Sequence, residues 1–241
     1  MNTESAFRAE ASADAPRQVL VWDAPVRVFH WLLVLSFAGA WLTAESERWR
    51  LAHVTLGYTM AGLVAFRVLW GLIGTRHARF ASFVRGRAAV TRYLGSLVRG
   101  RPEHHVGHNP AGALAIVALL LLAVAVAFTG WAGYQELAGH WVEEVHEGAA
   151  TVMLVLVGVH VAAVALSSWL HRENLVASMV TGRKAAPPAA GIRSAWRSVA
   201  AVLLVAVLGF WWLQWQAPAA AGLLAGPAPA WGKMAGDDED D

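Results

Sequence analysis

Five long apolar stretches dominate this 241-residue chain, at 26–44, 51–74, 111–131, 142–170 and 195–215. Each can cross a hydrocarbon core of about 30 Å at 1.5 Å rise per residue. The runs are Leu/Ala-rich and continuous rather than alternating, which predicts helices and excludes barrel strands. The first stretch opens on Asp23 as N-cap, with Pro25 near its first helical position. Apolar residues make up 57% of the chain and charged residues 15%, against about 25% charge in a soluble domain, so lipid must cover much of the surface. The net charge of +2 is too small to favour nucleic acid, and with no cysteine there is no disulfide, zinc ribbon, iron–sulfur cluster or thiolate haem ligand.

The loops set an expected direction. Between spans two and three lie Arg76, Arg79, Arg85, Arg87, Arg92, Arg99 and Arg101 against Glu103, and between spans four and five lie Arg172, Arg183, Lys184 and Arg193 against Glu173. The opposite loops are neutral or acidic: Glu45 and Glu47 with Arg48 and Arg50, then Glu136, Glu143, Glu144 and Glu147 with no basic residue. The positive-inside rule then places the N-terminus in the cytoplasm of a bacterial inner membrane and the C-terminus in the periplasm, with Trp211, Trp212 and Trp215 in the outer headgroup belt. The expected organisation is a disordered cytoplasmic tail at 1–20, a transmembrane bundle at 21–184, a linker and fifth helix at 185–216, and a Pro/Ala/Gly-rich acidic periplasmic tail at 217–241.

His30, His53, His146 and His160 fall within or at the edges of the spans, where an ionisable group is costly and points to function. Span one runs outward, so His30 lies near the inner face; spans two and four enter from outside, so His53 and His146 are shallow there. His160 follows His146 by 14 residues, roughly 21 Å deeper and about 40° short of four turns, on nearly the same helix face. The four therefore resolve into an inner pair, His30 with His160, and an outer pair, His53 with His146. Two facing imidazoles make a poor zinc site, which takes three or four protein ligands, but suffice for an iron whose macrocycle supplies four nitrogens. The expected fold is an all-α integral membrane protein: a four-helix transmembrane haem-binding bundle with two stacked haems and a fifth, peripheral transmembrane helix. Gly39, Gly57, Gly62, Gly148 and Gly158 offer room for a macrocycle, or ordinary helix packing.

At these residues the sequence resembles the prokaryotic cytochrome b561 family, which includes the b-type cytochrome subunits of nickel–iron hydrogenases. The blocks that carry the resemblance are Val21-Trp22-Asp23 through His30-Trp31, and His53 to Tyr58 with Arg67, Trp70-Gly71 and His77-Ala78-Arg79-Phe80. They continue with His108-Asn109-Pro110, Thr129-Gly130, His146, His160, His171 to Leu175 and Gly182-Arg183-Lys184. The resemblance implies two haems b with bis-histidine ligation, His30 and His160 on the inner iron and His53 and His146 on the outer. It also implies single-electron transfer between the quinone pool and a partner, a dehydrogenase or hydrogenase subunit being one candidate; the acidic tail Asp237-Asp238-Glu239-Asp240-Asp241 offers another, a basic periplasmic c-type cytochrome steered by charge. The fifth helix and acidic tail exceed the simplest members of the family.

Arg67, 14 residues beyond His53, either meets a haem propionate or snorkels to the headgroups. His77, Arg79 and His108 are candidates for propionate or quinone contact, although Asn109 and Pro110 also read as a helix start. His104 and His105 read as solvated, His140 as an outer-loop residue, and His171 as a partner of its helix dipole. The function expected is that of a membrane dihaem cytochrome b, an electron-transfer component that acts as a quinone reductase or quinol oxidase. The alternatives are a superoxide:quinone oxidoreductase acting alone, a histidine-lined transition-metal transporter, and a structural anchor.

Overall fold

A computed structural model describes residues 15–101, 103–137 and 139–216. The acidic tail at 217–241 and the first fourteen residues lie outside it. Five helices are long and apolar enough to cross a membrane: α1 (Ala24–Thr43), α2 (Arg50–Ile73), α5 (Pro110–Tyr134), α6 (Trp141–His171) and α8 (Arg197–Gln216). Two short helices, α3 (Phe80–Phe83) and α4 (Arg87–Val98), lie between α2 and α5, and α7 (Leu175–Thr181) follows α6. The all-α multi-pass architecture expected from the apolar runs is the one observed.

The helices pack in the order α1, α2, α5, α6, with α8 against α1 and α2 on the outside. Phe29 and Leu32 of α1, Leu63 of α2 and Val207 of α8 share one buried cluster, and Trp211 of α8 donates its indole N–H to Thr59 Oγ1 at 2.8 Å. The fifth helix is thus peripheral to the four but fastened to them. Among the described residues, α6 has its most extensive contacts with α5 and α7. Only Val142 and Met153 of α6 are buried.

One end of the bundle carries the basic loops and the other the acidic ones; they are called the basic and acidic ends below. The basic end holds a strand pair whose residues the sequence reading divided among the tail at 1–20, the bundle at 21–184 and the linker at 185–216. Strand β1 (Arg17–Leu20) pairs antiparallel with β2 (Arg183–Ala186), Arg17 opposite Ala186 and Leu20 opposite Arg183. Residues 17–20 are therefore ordered, because β2 satisfies their backbone groups. Gly182, at φ 81°, ends α7 and turns the chain into β2, and its carbonyl accepts from the Val21 and Trp22 amides. A Cβ there would meet the Trp22 carbonyl at 2.7 Å, so only glycine fits.

Asp23 joins this platform to the bundle. One carboxylate oxygen caps α1 by accepting from the Val26 amide at 2.9 Å; the other accepts from Trp70 Nε1 at 3.1 Å and Thr75 Oγ1 at 2.6 Å. The capping role was legible in the sequence; the bonds to the end of α2 were not. Asp23→Ala removes the cap and leaves two buried donors unpaired, so it is expected to lower stability by about 2–4 kcal/mol. Thermal unfolding of the purified protein followed by circular dichroism checks the loss.

Candidate haem site

Near the acidic end His53 of α2 and His146 of α6 face each other with ring centres 6.2 Å apart and planes at 78°. Each ring is held by its Nδ1. His53 Nδ1 donates to the Ala40 carbonyl at 2.8 Å, and His146 Nδ1 donates to the Val126 carbonyl at 3.0 Å with Thr129 Oγ1 at 3.3 Å. A carbonyl oxygen can only accept, so the proton sits on Nδ1 and the Nε2 lone pair is free for a metal.

The two carbonyls are available for identifiable reasons. Ala40 lies in the last turn of α1, where the Ala44 amide bonds instead to the Trp41 carbonyl. Val126 lies four residues before Gly130, where a side chain would normally cover the approach. A Cβ on Gly130 would stand 2.8 Å from His146 Cε1, so this glycine keeps the ring's place open.

A cavity of about 1050 Å³ is lined by both imidazoles with Phe37, Gly57, Met60 and Trp131. Two metal–imidazole bonds of about 2 Å each, with the half-width of each ring, span roughly 6 Å. The observed separation, the free Nε2 atoms and the apolar cavity all fit an iron macrocycle held between two histidines. Gly57 lines this cavity with no atom near its missing side chain, whereas Gly39 packs against Leu56 of α2 and serves helix contact. Gly62, Gly148 and Gly158 meet no neighbouring atom.

The second pair lies toward the basic end. It comprises His30 of α1 and His160 of α6, and the buried Nδ1 of His30 has no hydrogen-bond partner among the described residues. Beside it the chain gathers positive charge. Arg67 is 3% exposed, its guanidinium sits 4.8 Å from the Phe80 ring centre, and its buried Nη1 has no hydrogen-bond partner among the described residues. It does not snorkel: Phe80 rests against Gly71 one turn on and closes it off from the surface.

His108 packs against Trp22 and Phe83, with ring centres 4.6 Å away in each case. Burial, then the charges of Arg67, His77, Lys184 and His160, push its pKa down to about 3. His77 is near but engaged, donating from Nε2 to the Ala190 carbonyl at 2.8 Å. Arg79 is exposed at the start of α3 and takes no part in the cluster.

Sequence reasoning missed Lys184 as a site residue. It is buried and pairs with Glu173 at 3.0 Å, which also lies 3.8 Å from His104. Its place in the Gly182-Arg183-Lys184 block was the available signal. His105, expected in solvent, is partly buried against Tyr93 and pairs with Glu103 at 3.6 Å.

Paired imidazoles on separate membrane helices, around an apolar cavity, mark a helical membrane protein suited to a b-type haem. Residues 21–182 match prokaryotic cytochrome b561, and the chain belongs to that family. It is a multi-pass membrane b-type cytochrome of electron transfer. Relatives named "Probable Ni/Fe-hydrogenase B-type cytochrome subunit" include those of Azotobacter chroococcum mcd 1 and Azotobacter vinelandii. Each is 30% identical over 209 residues, covering 68% of this chain and 87% of the relative. The relative of that name from Rhizobium leguminosarum bv. viciae is 27% identical over 214 residues, 70% of this chain and 89% of its own. No solved structure matches the chain.

Two outcomes test this geometry. Gly130→Val is expected to displace the His146 ring and lower the haem bound per protein while helical content persists, as read by haem extraction and circular dichroism. For His108, the folded pKa lies below the ordinary 6.5, so as pH falls between these values the unfolded chain takes up a proton that the folded chain excludes. The wild type therefore loses stability over that window, and His108→Gln is expected to flatten the loss in unfolding measured against pH.

Proposed function

We propose that this protein is a dihaem cytochrome b that moves single electrons across the bacterial inner membrane between quinone and a redox partner on the periplasmic side. His53 and His146 would ligate one haem near the acidic end, and His30 and His160 the other near the basic end. The observation that carries this reading is the His53–His146 pair, with its 6.2 Å separation and both Nδ1 atoms engaged by carbonyls. The second pair is supported by the unpartnered buried nitrogen of His30 and by the spacing of 14 residues that α6 repeats between its two histidines.

When bound, each haem supplies a reversible one-electron iron couple. The chain's own groups do the rest. The Ala40 and Val126 carbonyls orient the imidazoles and raise their basicity. The walls around His53 and His146 are mostly apolar, with Glu45 and Glu147 among the lining residues. At the basic end, Arg67 and His108 offer a buried cation and an imidazole to a carboxylate, the chemistry of a haem propionate. Quinone is assigned to the same end, where His77 and Lys184 bring titratable groups close to the bundle.

The basic loops place that end in the cytoplasm by the positive-inside rule, with the C-terminus outside. The relatives' names favour a nickel–iron hydrogenase as the class of partner, on the acidic side.

A reduced-minus-oxidised visible spectrum with a haem-to-protein ratio tests the assignment. Two haems per chain are expected, falling to one in His53→Ala or His146→Ala and likewise in His30→Ala or His160→Ala. A colourless protein, or unchanged haem content in these variants, would sink it. Arg67→Gln is expected to lower the midpoint potential of one haem and leave the other in place, since a nearby positive charge favours the reduced form; a redox titration reads the difference.

A further inference from the structure

Each histidine-bearing helix carries a large apolar residue seven positions beyond a histidine. His30 is followed by Phe37, His53 by Met60 and His146 by Met153, which in turn stands seven before His160. Seven residues are about 20° short of two turns and advance roughly 10 Å, so each apolar residue faces as its histidine does, midway between the two levels. The three meet. Phe37, Met60 and Met153 belong to one buried cluster with Val64 of α2 and Ala123 and Val126 of α5; exposures run from 0% at Ala123 to 9% at Val126. None of these side chains carries a strong hydrogen-bonding group. Phe37, Met60, Val64 and Val126 of this cluster also line the cavity that holds His53 and His146.

We infer that the Phe37–Met60–Met153 layer is a dry partition between the two redox sites, and that it fills the electron's path from one to the other. The inference deepens the dihaem reading and rests on it. With ligand levels 14 residues apart, roughly 21 Å, the two macrocycles do not meet and the electron must pass through what lies between. A close-packed layer offers continuous atom contacts there, whereas a void forfeits them. Methionine suits the position because its unbranched, polarisable side chain fills irregular gaps against an aromatic ring. Phe37, Met60 and Met153 act here as positioning residues; none touches a reacting atom.

The natural absence of cysteine makes a single introduced thiol a clean reporter. An Ala123→Cys thiol in the full-length haem-loaded protein, in proteoliposomes, is expected to resist a water-soluble maleimide that labels a Glu144→Cys control quickly. Adding Phe37→Ala, or separately Met153→Ala, is expected to make the Ala123→Cys thiol reactive. Each also slows several-fold the transfer of electrons from an external reductant to ferricyanide trapped in the vesicles. Phe37→Leu and Met153→Leu, which keep the layer filled, restore both properties. Fast labelling of Ala123→Cys with the layer intact overturns the inference, as does either readout staying unmoved in both alanine variants at full haem content. A haem-to-protein ratio of one in the unmodified protein would instead count against the dihaem reading, and the labelling result stands apart from it.

Discussion

Inside a membrane helix nearly every backbone carbonyl is already committed to the amide four residues on, and no water replaces a missing partner. An imidazole that must donate from Nδ1, so as to leave Nε2 for a metal, therefore finds few acceptors. This chain supplies two by different means. Ala40 stands in the last turn of its helix, where the ladder has run out. Val126 is in mid-helix but is followed at the fourth position by Gly130, which leaves its carbonyl approachable. The acidic-end pair depends on these two local exceptions, and the cavity beside the pair follows from rings held in that attitude.

The basic end is built on a different principle. Hydrogen bonds within the platform of β1, β2 and the segment before α8 lock the entry to α1, and Asp23 ties that entry to Trp70 and Thr75. Behind this lock sits a group of cationic and imidazole side chains with few counter-charges. Glu173 is taken by Lys184, and Asp23 already accepts three hydrogen bonds. Arg67 is left with a buried nitrogen and an aromatic ring for company. A buried cation with so little counter-charge costs free energy, which an anionic ligand would offset.

The same seven-residue step organises both ends and the middle. On α6 it runs from His146 through Met153 to His160, and on α2 from His53 through Met60 to Arg67. A heptad step suits near-parallel helices because it keeps one seam facing the partner. Here the seam alternates polar, apolar and polar levels instead of repeating one kind of residue. The fifth helix is attached to the opposite side of α1 and α2, so its contacts leave that seam free.

By itself the sequence settled what depends on residues near one another along the chain. The five spans appear within a few residues of their observed ends, the Asp23 and Asn109 caps are where expected, and the spacing of 14 puts two histidines on one face of α6. These follow from helix periodicity and from the cost of exposing backbone to lipid, both local rules. Tertiary structure decided what depends on which atoms of different helices meet: that Arg67 is enclosed by Phe80, that His108 lies beneath Trp22 and Phe83, that Arg79 stays outside, and that Arg17–Leu20 becomes a strand. Those outcomes turn on a loop folding back or a ring finding a glycine, and no periodicity within one segment specifies a contact made by another.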